Sequence, residues 1–385
     1  MNILYLASVF DDECIKKYCN NQYVLSYAAS KYHTLLIDGL CSNRAQVDVL
    51  SVLPINRKNS RKKVIVGFKR TKKNLRVNYL GFINLAILKR ITLFFRTFFQ
   101  TLFYKRNSVV LYDVLCTSSS AGAILAAKLR RFKLVAIVTD LPDFSLTEEK
   151  AKNVRIKNLP IEYADAYVLL TKQMNDKINP FKKPSIILEG HVDAEMARRQ
   201  PTKAMEGKKT VIYAGSIMKK YGIAFLCNAF VKYSHPDEEL HIYGLGDFEE
   251  ELTKNYSQYK NIIYHGNRPN DEIIEAEMNA TLLVNPRPTQ DEYTKYSFPS
   301  KTLEYLASGT PVLSSRLPGI PDEYNDYLFY FDDDTVDSLG KRIREILDSS
   351  SDLLLEKGKL GRDFVLREKN NIRQAAKIID FIEHN

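Results

Sequence analysis

Twice along this chain, short apolar runs alternate with longer segments of helical spacing. The first series opens with NILYLASVF and continues through VDVLSVLPI, SVVLYDVL, KLVAIVTDL, ADAYVLLT and SIILEGHVD. The second opens with TVIYAGSI and continues through ELHIYGLGD, NIIYHGNRP, ATLLVNPRP, TPVLSS and YLFYFDDD. Runs this short and this apolar read as strands buried on both faces, and helices between them make the strands parallel. NQYVLSYAASKYHTLLIDGL, with Val24, Tyr27, Ala28, Leu35 and Leu36 among its apolar positions, and a segment from about Ser120 to Arg130 are expected helices of the first series. Between the series, ARRQPTKAMEGKK is polar and charged, as linkers are. Two Rossmann-like α/β domains, 1–195 and 210–365, joined by a linker at 196–209, are the simplest architecture, since 385 residues exceed what one core of ordinary size holds.

Composition narrows the class further. With 45% apolar and 26% charged residues the chain is a folded one. Its cysteines, Cys14, Cys19, Cys41, Cys116 and Cys227, are scattered, form no CxxC pair and have too few histidines near them for a zinc site. A reducing cytoplasm is therefore expected. The first strand begins at Met1-Asn2-Ile3 and no signal peptide is expected. The net charge of +10 is local. Val49–Tyr112 holds fifteen Lys and Arg and no Asp or Glu, which leaves the rest of the chain at −5 (+10 less 15).

In open α/β sheets ligands bind beyond the carboxyl ends of the strands. The residues just after the second series of strands are therefore informative. TVIYAG, ending in Gly215, is followed by Ser216, Lys219 and Lys220; HIYG ends in Gly244; HGNRP carries Arg268 and NPRP carries Arg287. Small residues let a ligand approach the backbone, and the cations there suit a diphosphate held by point charges and a helix N-terminus. Each alone is an ordinary strand-to-helix turn with solvated charges. Four on one sheet edge point to an anion site.

The stretch YSFPSKTLEYLASGTPVL adds a second element. Pro299 suits a first helical turn with Ser297 or Ser300 near the cap, and Gly309 followed by Pro311 ends the helix. Lys301 and Glu304, at i and i+3, share a face. As a solvated pair they contribute only about 0.3–0.5 kcal/mol. Set at the crevice, Glu304 would accept hydrogen bonds from vicinal sugar hydroxyls, while Lys301 and the N-terminal amides neutralise phosphate.

FPSKTLEYLASGTPVL, with YAGSIMKKYGI upstream and HIYGLGD, HGNRP and NPRP between, resembles the donor-binding domain of GT-B glycosyltransferases. The resemblance is to glycosyltransferase family 4, especially bacterial members that build surface and capsular polysaccharides. It is strong over about Lys209–Asp334 and weaker at VDVLSVLPI, VTDLPDF and ILEGHVD. It implies two Rossmann-like domains facing each other across a cleft: 1–195 for the acceptor, 210–365 for the nucleotide-sugar donor, and a C-terminal helix at 366–385 crossing back to the first. Glu304 matches the second glutamate of the family's E-x7-E element, which contacts the nucleotide ribose; the first falls at Tyr296. Ser297, Phe298 and Pro299, with Ser300 after them, match the turn that reaches donor sugar and phosphates. The usual phosphate-site Arg falls at Ser216 and its Lys partner at Tyr221, so Lys219 or Lys220 would replace it. Where the first domain often carries a histidine, this chain has Thr139-Asp140. Asp140 is then the candidate polar residue near the reacting sugar, although a helix-capping Asp reads equally well. The resemblance implies retention of configuration, catalysis by positive groups around the leaving diphosphate, and neither metal nor cofactor.

Within the basic region, Arg57–Arg76 reads as a loop or irregular hairpin. Leu80–Tyr104 reads as a helix apolar on more than one face, interrupted by Lys89, Arg90 and Arg96. It is too charged to span a membrane. It is either a buried helix or an interfacial one meeting anionic lipid. A lipid-linked saccharide acceptor accounts for the interfacial reading together with the basic charge. Alternatives are another GT-B activity (a nucleotide-sugar epimerase or a phosphorylase), a non-catalytic homologue, and, more distantly, a nucleic-acid binder, for which no recognition motif is present.

Overall fold

A computed structural model describes residues 1–19, 27–141, 154–200 and 208–385. Val24 and residues 201–207 of the expected linker lie outside them. The chain divides into two compact units, Met1–His191 with Asn371–Asn385, and Val192–Asn370.

The first unit opens with β1 (Asn2–Ala7), α1 (Asp12–Tyr18), α2 (Tyr27–Ser42) and β2 (Gln46–Ser51). The basic region then supplies β3 (Val64–Ile65), β4 (Phe68–Lys72), β5 (Leu75–Tyr79), β6 (Phe82–Ile83) and α3 (Ala86–Leu102). After it come β7 (Val109–Asp113), α4 (Thr117–Arg130), β8 (Lys133–Val138), α5 (Val154–Glu162), β9 (Ala166–Leu169), α6 (Lys172–Ile178) and β10 (Ser185–Ile187). The main sheet has the order β10-β9-β8-β7-β1-β2-β5-β4 and is parallel except at β4–β5. Strands β1 and β7–β9 are buried along almost their whole length, as expected for strands covered on both faces. The C-terminal helix, Asn371–His384, buries Ala375, Ile378 and Ile382 in the same core as Leu36, Ile37 and Leu40 of α2. A Cβ at Gly39 would lie 2.2 Å from Asn371 O, so the two helices meet backbone to backbone.

Two expectations for the basic region change. The Arg57–Arg76 stretch is not only loop: β4 and β5 form a regular antiparallel hairpin, and β5 extends the main sheet beside β2. The helix starts at Ala86, not Leu80, because Phe82–Ile83 pair with Val64–Ile65 and commit that backbone to a ladder. α3 is buried along one face and exposed along the other. Leu93, Thr97 and Thr101 are buried, and Thr97 Oγ1 donates to Ser119 O of α4 at 2.8 Å.

The second unit runs β11 (Lys209–Ala214), α7 (Ile223–Tyr233), β12 (Glu238–Tyr243), α8 (Glu249–Tyr256), β13 (Ile262–Gly266), α9 (Asn270–Asn279), β14 (Leu282–Asn285), α10 (Ser300–Ser308), β15 (Val312–Ser314), β16 (Phe329–Tyr330), α11 (Val336–Leu347) and α12 (Ser351–Glu368). Its sheet has the order β13-β12-β11-β14-β15-β16, and every pairing is parallel. This is the doubly wound arrangement, with the order reversing between β11 and β14. Gly309 ends α10 in the left-handed region at φ 80°, as its place before Thr310-Pro311 foretold.

Candidate active site

At the β11/β14 reversal the exit of β11 is threaded between the exits of its neighbours. Gly215 N–H donates to Tyr243 O (3.0 Å), Ile217 N–H to Leu245 O (3.1 Å) and Phe248 N–H to Ile217 O (3.0 Å). Gly244 has φ 128°, and a Cβ there would lie 1.8 Å from Gly215 O. At Gly222, with φ 79°, a Cβ would lie 2.2 Å from Pro286 O. Both the dihedrals and the close approach demand glycine. Ser216 closes the turn as its carbonyl accepts from the Tyr213 hydroxyl at 2.8 Å.

Cations converge here from two strand exits. The Arg287 guanidinium lies 4.5 Å from the centroid of the Tyr221 ring and 5.8 Å from that of Tyr293. Lys220 Nζ lies 4.7 Å from the Tyr293 centroid and 5.5 Å from that of Tyr221. Two rings thus hold two positive groups by cation–π attraction. Burial pushes the Tyr293 phenol up to about 12, against the pull of Arg287. At neutral pH that ring offers a face and no counter-charge. Arg287 Nε is buried without a hydrogen-bond partner. Ser216 and Tyr221, where the resemblance puts Arg and Lys, carry no charge; Arg287 and Lys220 stand beside Tyr221 instead.

α10 is tied to β11 as well. The wholly buried Tyr305 hydroxyl accepts from Ala214 N–H (2.7 Å) and donates to Ala214 O (3.0 Å). One turn earlier the Lys301 side chain passes Gly215, its Cγ 3.7 Å from where a Cβ of residue 215 would stand. Lys301 Nζ meets Glu304 Oε2 at 2.8 Å, with the two side chains 34% and 26% exposed. Burial alone would lower the Lys301 pKa; Glu304 and then Glu277 outweigh it and hold the ammonium above its ordinary value.

The expected serine cap does not form. Pro299 occupies the N-cap position, no side chain caps the helix, and Ser297 Oγ is buried without a partner while Ser300 is exposed. The reason is local: Thr302 N–H, a usual target of a cap, already donates to Pro299 O at 2.8 Å. Phe298 anchors the entry, buried with its ring 5.4 Å from Tyr324. Tyr296 ends the short 3-10 turn Glu292–Tyr296 and is half-buried.

Other candidates stand apart. Lys219 turns to α8, where its ammonium pairs with Glu251 and its N–H donates to Asp247 Oδ1 at 2.7 Å; the Glu251 hydrogen bond raises its pKa. Arg268 is exposed past the end of edge strand β13, its Nε donating to His265 O at 3.1 Å, with β12 between it and β11. Asp140 lies at the exit of β8 in the first unit, where Oδ1 accepts from Leu141 N–H at 2.9 Å. The helix it was weighed as capping, with Pro142–Phe144 of VTDLPDF, falls outside the described residues.

Three positioning residues were not singled out from the sequence. Neither Tyr305 nor Tyr293 belongs to a motif that marks it in the sequence. Asp334 accepts from both N–H and Oγ1 of Thr289, each at 2.8 Å, and so fixes the loop that carries Arg287. Its position beyond the β16 run was the one available signal. Among the described residues, His235, Asp237 and Glu238 are close enough to share a metal ion. They stand at the amino end of β12, the edge opposite this site, and Glu238 is ion-paired with Arg344.

Residues 195–362 match the protein family Glycosyl transferases group 1. No curated protein matches the chain in sequence. Among solved structures, the chain is similar to sucrose-phosphate synthase from Thermosynechococcus elongatus, at 16% identity and TM-score 0.72, covering 100% of this chain and 99% of that one. It is similar also to HepE from Anabaena in complex with UDP, at 13% identity and TM-score 0.70, with 100% of both chains covered. For TarM the values are 10% and 0.68, with 99% of this chain and 98% of that one covered. At such identities these likenesses concern the fold. Family match and fold together make the chain a GT-B glycosyltransferase with a group 1 glycosyltransferase domain in its second unit.

Proposed function

We propose that this glycosyltransferase moves a sugar from a nucleotide-sugar donor to a lipid-linked saccharide, with retention of configuration, in building an extracellular or capsular polysaccharide. The observation that carries the donor half is the convergence of Arg287 and Lys220 on Tyr221 and Tyr293, beside the Lys301–Glu304 pair. When the donor reacts, the bond from its anomeric carbon to the diphosphate breaks and negative charge collects on the departing group. Fixed cations in a partly desolvated crevice stabilise that charge more than they stabilise the bound donor, which is what lowers the barrier. Lys220, Arg287 and Lys301 take this role. Gly215, Ser216 and Gly244 let the diphosphate approach the backbone, and the Ser297–Ser300 turn faces donor sugar and phosphate. Glu304 accepts from the ribose hydroxyls, with Tyr296 replacing the carboxylate usual eight residues before it. HepE and trehalose-6-phosphate from E. coli are seen with UDP and UDP-2-fluoro glucose, which supports a nucleotide-linked donor here.

The first unit takes the acceptor, with Asp140 near the reacting sugar, and the basic region 49–112 brings it to an anionic membrane surface on the cytoplasmic side. Neither metal nor cofactor enters this scheme, and nucleic acid is not a partner. The test is a calorimetric and thermal-shift comparison of UDP, GDP, dTDP and ADP on wild type and Glu304→Ala. One nucleotide should bind, with affinity about tenfold weaker in the variant, the worth of one charge-assisted hydrogen bond. Binding of none of the four would sink the donor site.

A further inference from the structure

We infer that α3 is a membrane-inserting element, its outward face seated among the headgroups and upper acyl chains of an anionic membrane. This rests on the membrane-bound acceptor reading and deepens it by naming the surface and its mode of contact. α3 presents Ile87 (73% exposed), Ile91 (45%), Phe95 (51%) and Phe99 (50%) at intervals of four, with Leu88 beside them and Phe103 (79%) just past the helix end. At about 100° per residue, Ile87 to Phe99 fall within roughly a third of the helix circumference, along ~18 Å of axis. Single exposed apolar residues are ordinary, but a row of them on one helix face marks an interaction site.

The opposite face is fully used and holds the helix rigidly. A Cβ at Gly122 of α4 would lie 2.2 Å from Phe94 O, so the two helices pack backbone to backbone. Asn78 Nδ2 of β5 donates to Gln100 Oε1 at 2.5 Å and ties the other flank to the sheet. The outward stripe is therefore held in place before anything binds it.

Charge selects the occupant. Arg90, Arg96, Lys105 and Arg106 are exposed on or just beyond α3, and no acid occurs from Val49 to Tyr112. Part of the basic charge is answered within the unit, including Lys105, whose Nζ lies 3.8 Å from Asp48 Oδ2. Arg70 pairs with Asp11 and Glu13, Arg76 with Asp48, and Lys89 donates to Ile55 O. Arg90, Arg96 and Arg106 stand on or just beyond the helix that carries the stripe, and Lys58, Arg61, Lys63, Lys69, Lys72 and Lys73 are exposed in the loop and hairpin before it, so the exposed charge of the whole region is of one sign. A second copy of this chain would bring the same cations face to face with no acid of the region to answer them, which disfavours a symmetric pair. Anionic headgroups around an apolar interior answer both features at once. No described helix is long and apolar enough to cross a membrane, so the contact is one of lying in the interface.

The chain contains no tryptophan, which makes a clean reporter possible. Phe95→Trp places a single indole on the stripe of the full-length protein. With vesicles of phosphatidylcholine and about 30% phosphatidylglycerol, the emission should shift to the blue and be quenched by brominated acyl chains. Pure phosphatidylcholine should give at least tenfold weaker binding. Phe95→Ser with Phe99→Ser should lower partitioning about tenfold while leaving nucleotide binding in the second unit unchanged, which controls for misfolding. Vesicle binding without blue shift or quenching would overturn insertion and leave a purely electrostatic membrane contact. Equal binding to neutral vesicles would overturn the anionic requirement, and failure to bind either kind would overturn the membrane reading as well. A wild-type dimer converted to monomer by the double substitution would assign the stripe to self-association instead.

Discussion

At the reversal of the second sheet, between β11 and β14, cations stand at the strand exits; at the reversal of the first, between β1 and β7, the polar groups lie buried beneath them. The first sheet's group is a chain of contacts. The Tyr5 hydroxyl lies 2.8 Å from His33 Nδ1, His33 Nε2 lies 3.3 Å from Asp113 Oδ2, and Cys116 Sγ lies 3.8 Å from that same oxygen. Asp113 Oδ1 also accepts from Leu115 N–H at 2.9 Å, which fixes the turn into α4. Tyr5 and His33 are wholly buried. Arg287 and Lys220 in the second sheet stand over the faces of Tyr221 and Tyr293. A strand-order reversal creates an opening in either case. What each opening can bind depends on which groups stand at it: cations held over ring faces at one, a buried Tyr5–His33–Asp113 chain at the other.

The comparison is most exposed to a test at Arg287. Arg287→Ala should lower kcat/KM by about 10²–10³, the usual loss when one fixed donor to developing charge is removed. Arg268→Ala, out on the edge strand, should change it less than about threefold. Equal losses in the two variants would mean that the anion site spans the whole sheet edge and is not concentrated at the reversal.

The first unit's buried polar groups should appear in its pH dependence. Burial pushes the His191 imidazole down to about 4, against the Tyr32 carbonyl that its Nε2–H reaches at 2.8 Å, with His33 lowering it further. The folded state therefore binds fewer protons than the unfolded one between about pH 6.5 and 4. This contribution is fully present above about 6.5 and is lost as pH falls through 4, by roughly 3 kcal/mol. Amide hydrogen exchange should show the first unit loosening over that window more than the second, and His191→Gln should flatten the response. A second unit that loosens equally would remove the contrast.

The smallest expected effect separates the two neighbouring lysines. Lys219→Ala breaks an exposed pair with Glu251 and should leave the thermal midpoint indistinguishable from that of wild type. Its effect on kcat/KM should stay within about threefold, whereas Lys220→Ala should cost tenfold or more. The reverse order would show that Lys219 leaves Glu251 when donor binds.

Much of the second unit could be read before any coordinates. The runs ending in Ala214, Tyr243, Gly266 and Asn285 are strands, and the glycines and cations that follow them are exits on one sheet edge. Hydrophobic periodicity and turn chemistry are local signals, so they survive in a bare sequence. The Lys301–Glu304 pair was legible for the same reason, since i and i+3 on a helix are neighbours wherever the helix goes. The serine cap was misjudged because Ser297 and Ser300 both suit the role. The backbone closes the first turn instead, Thr302 N–H donating to Pro299 O.

Order and spacing along the chain were thus enough for two α/β series, a sheet edge of glycines and cations and a basic region without acids. They could not rank the cations within that edge. Lys219 and Lys220 are adjacent in sequence, yet one meets Glu251 and the other an aromatic ring, because each follows a different direction out of a three-residue 3-10 turn. Nor could they say which face of α3 is covered, for its Phe and Ile residues are spread over more than one side. That was settled by Gly122 and Ser119 of α4, over twenty residues away in sequence, which admit Phe94 and Thr97 and leave Phe95 and Phe99 outside. Local pattern specifies what an element is; contacts between residues distant in sequence specify what each of its side chains meets.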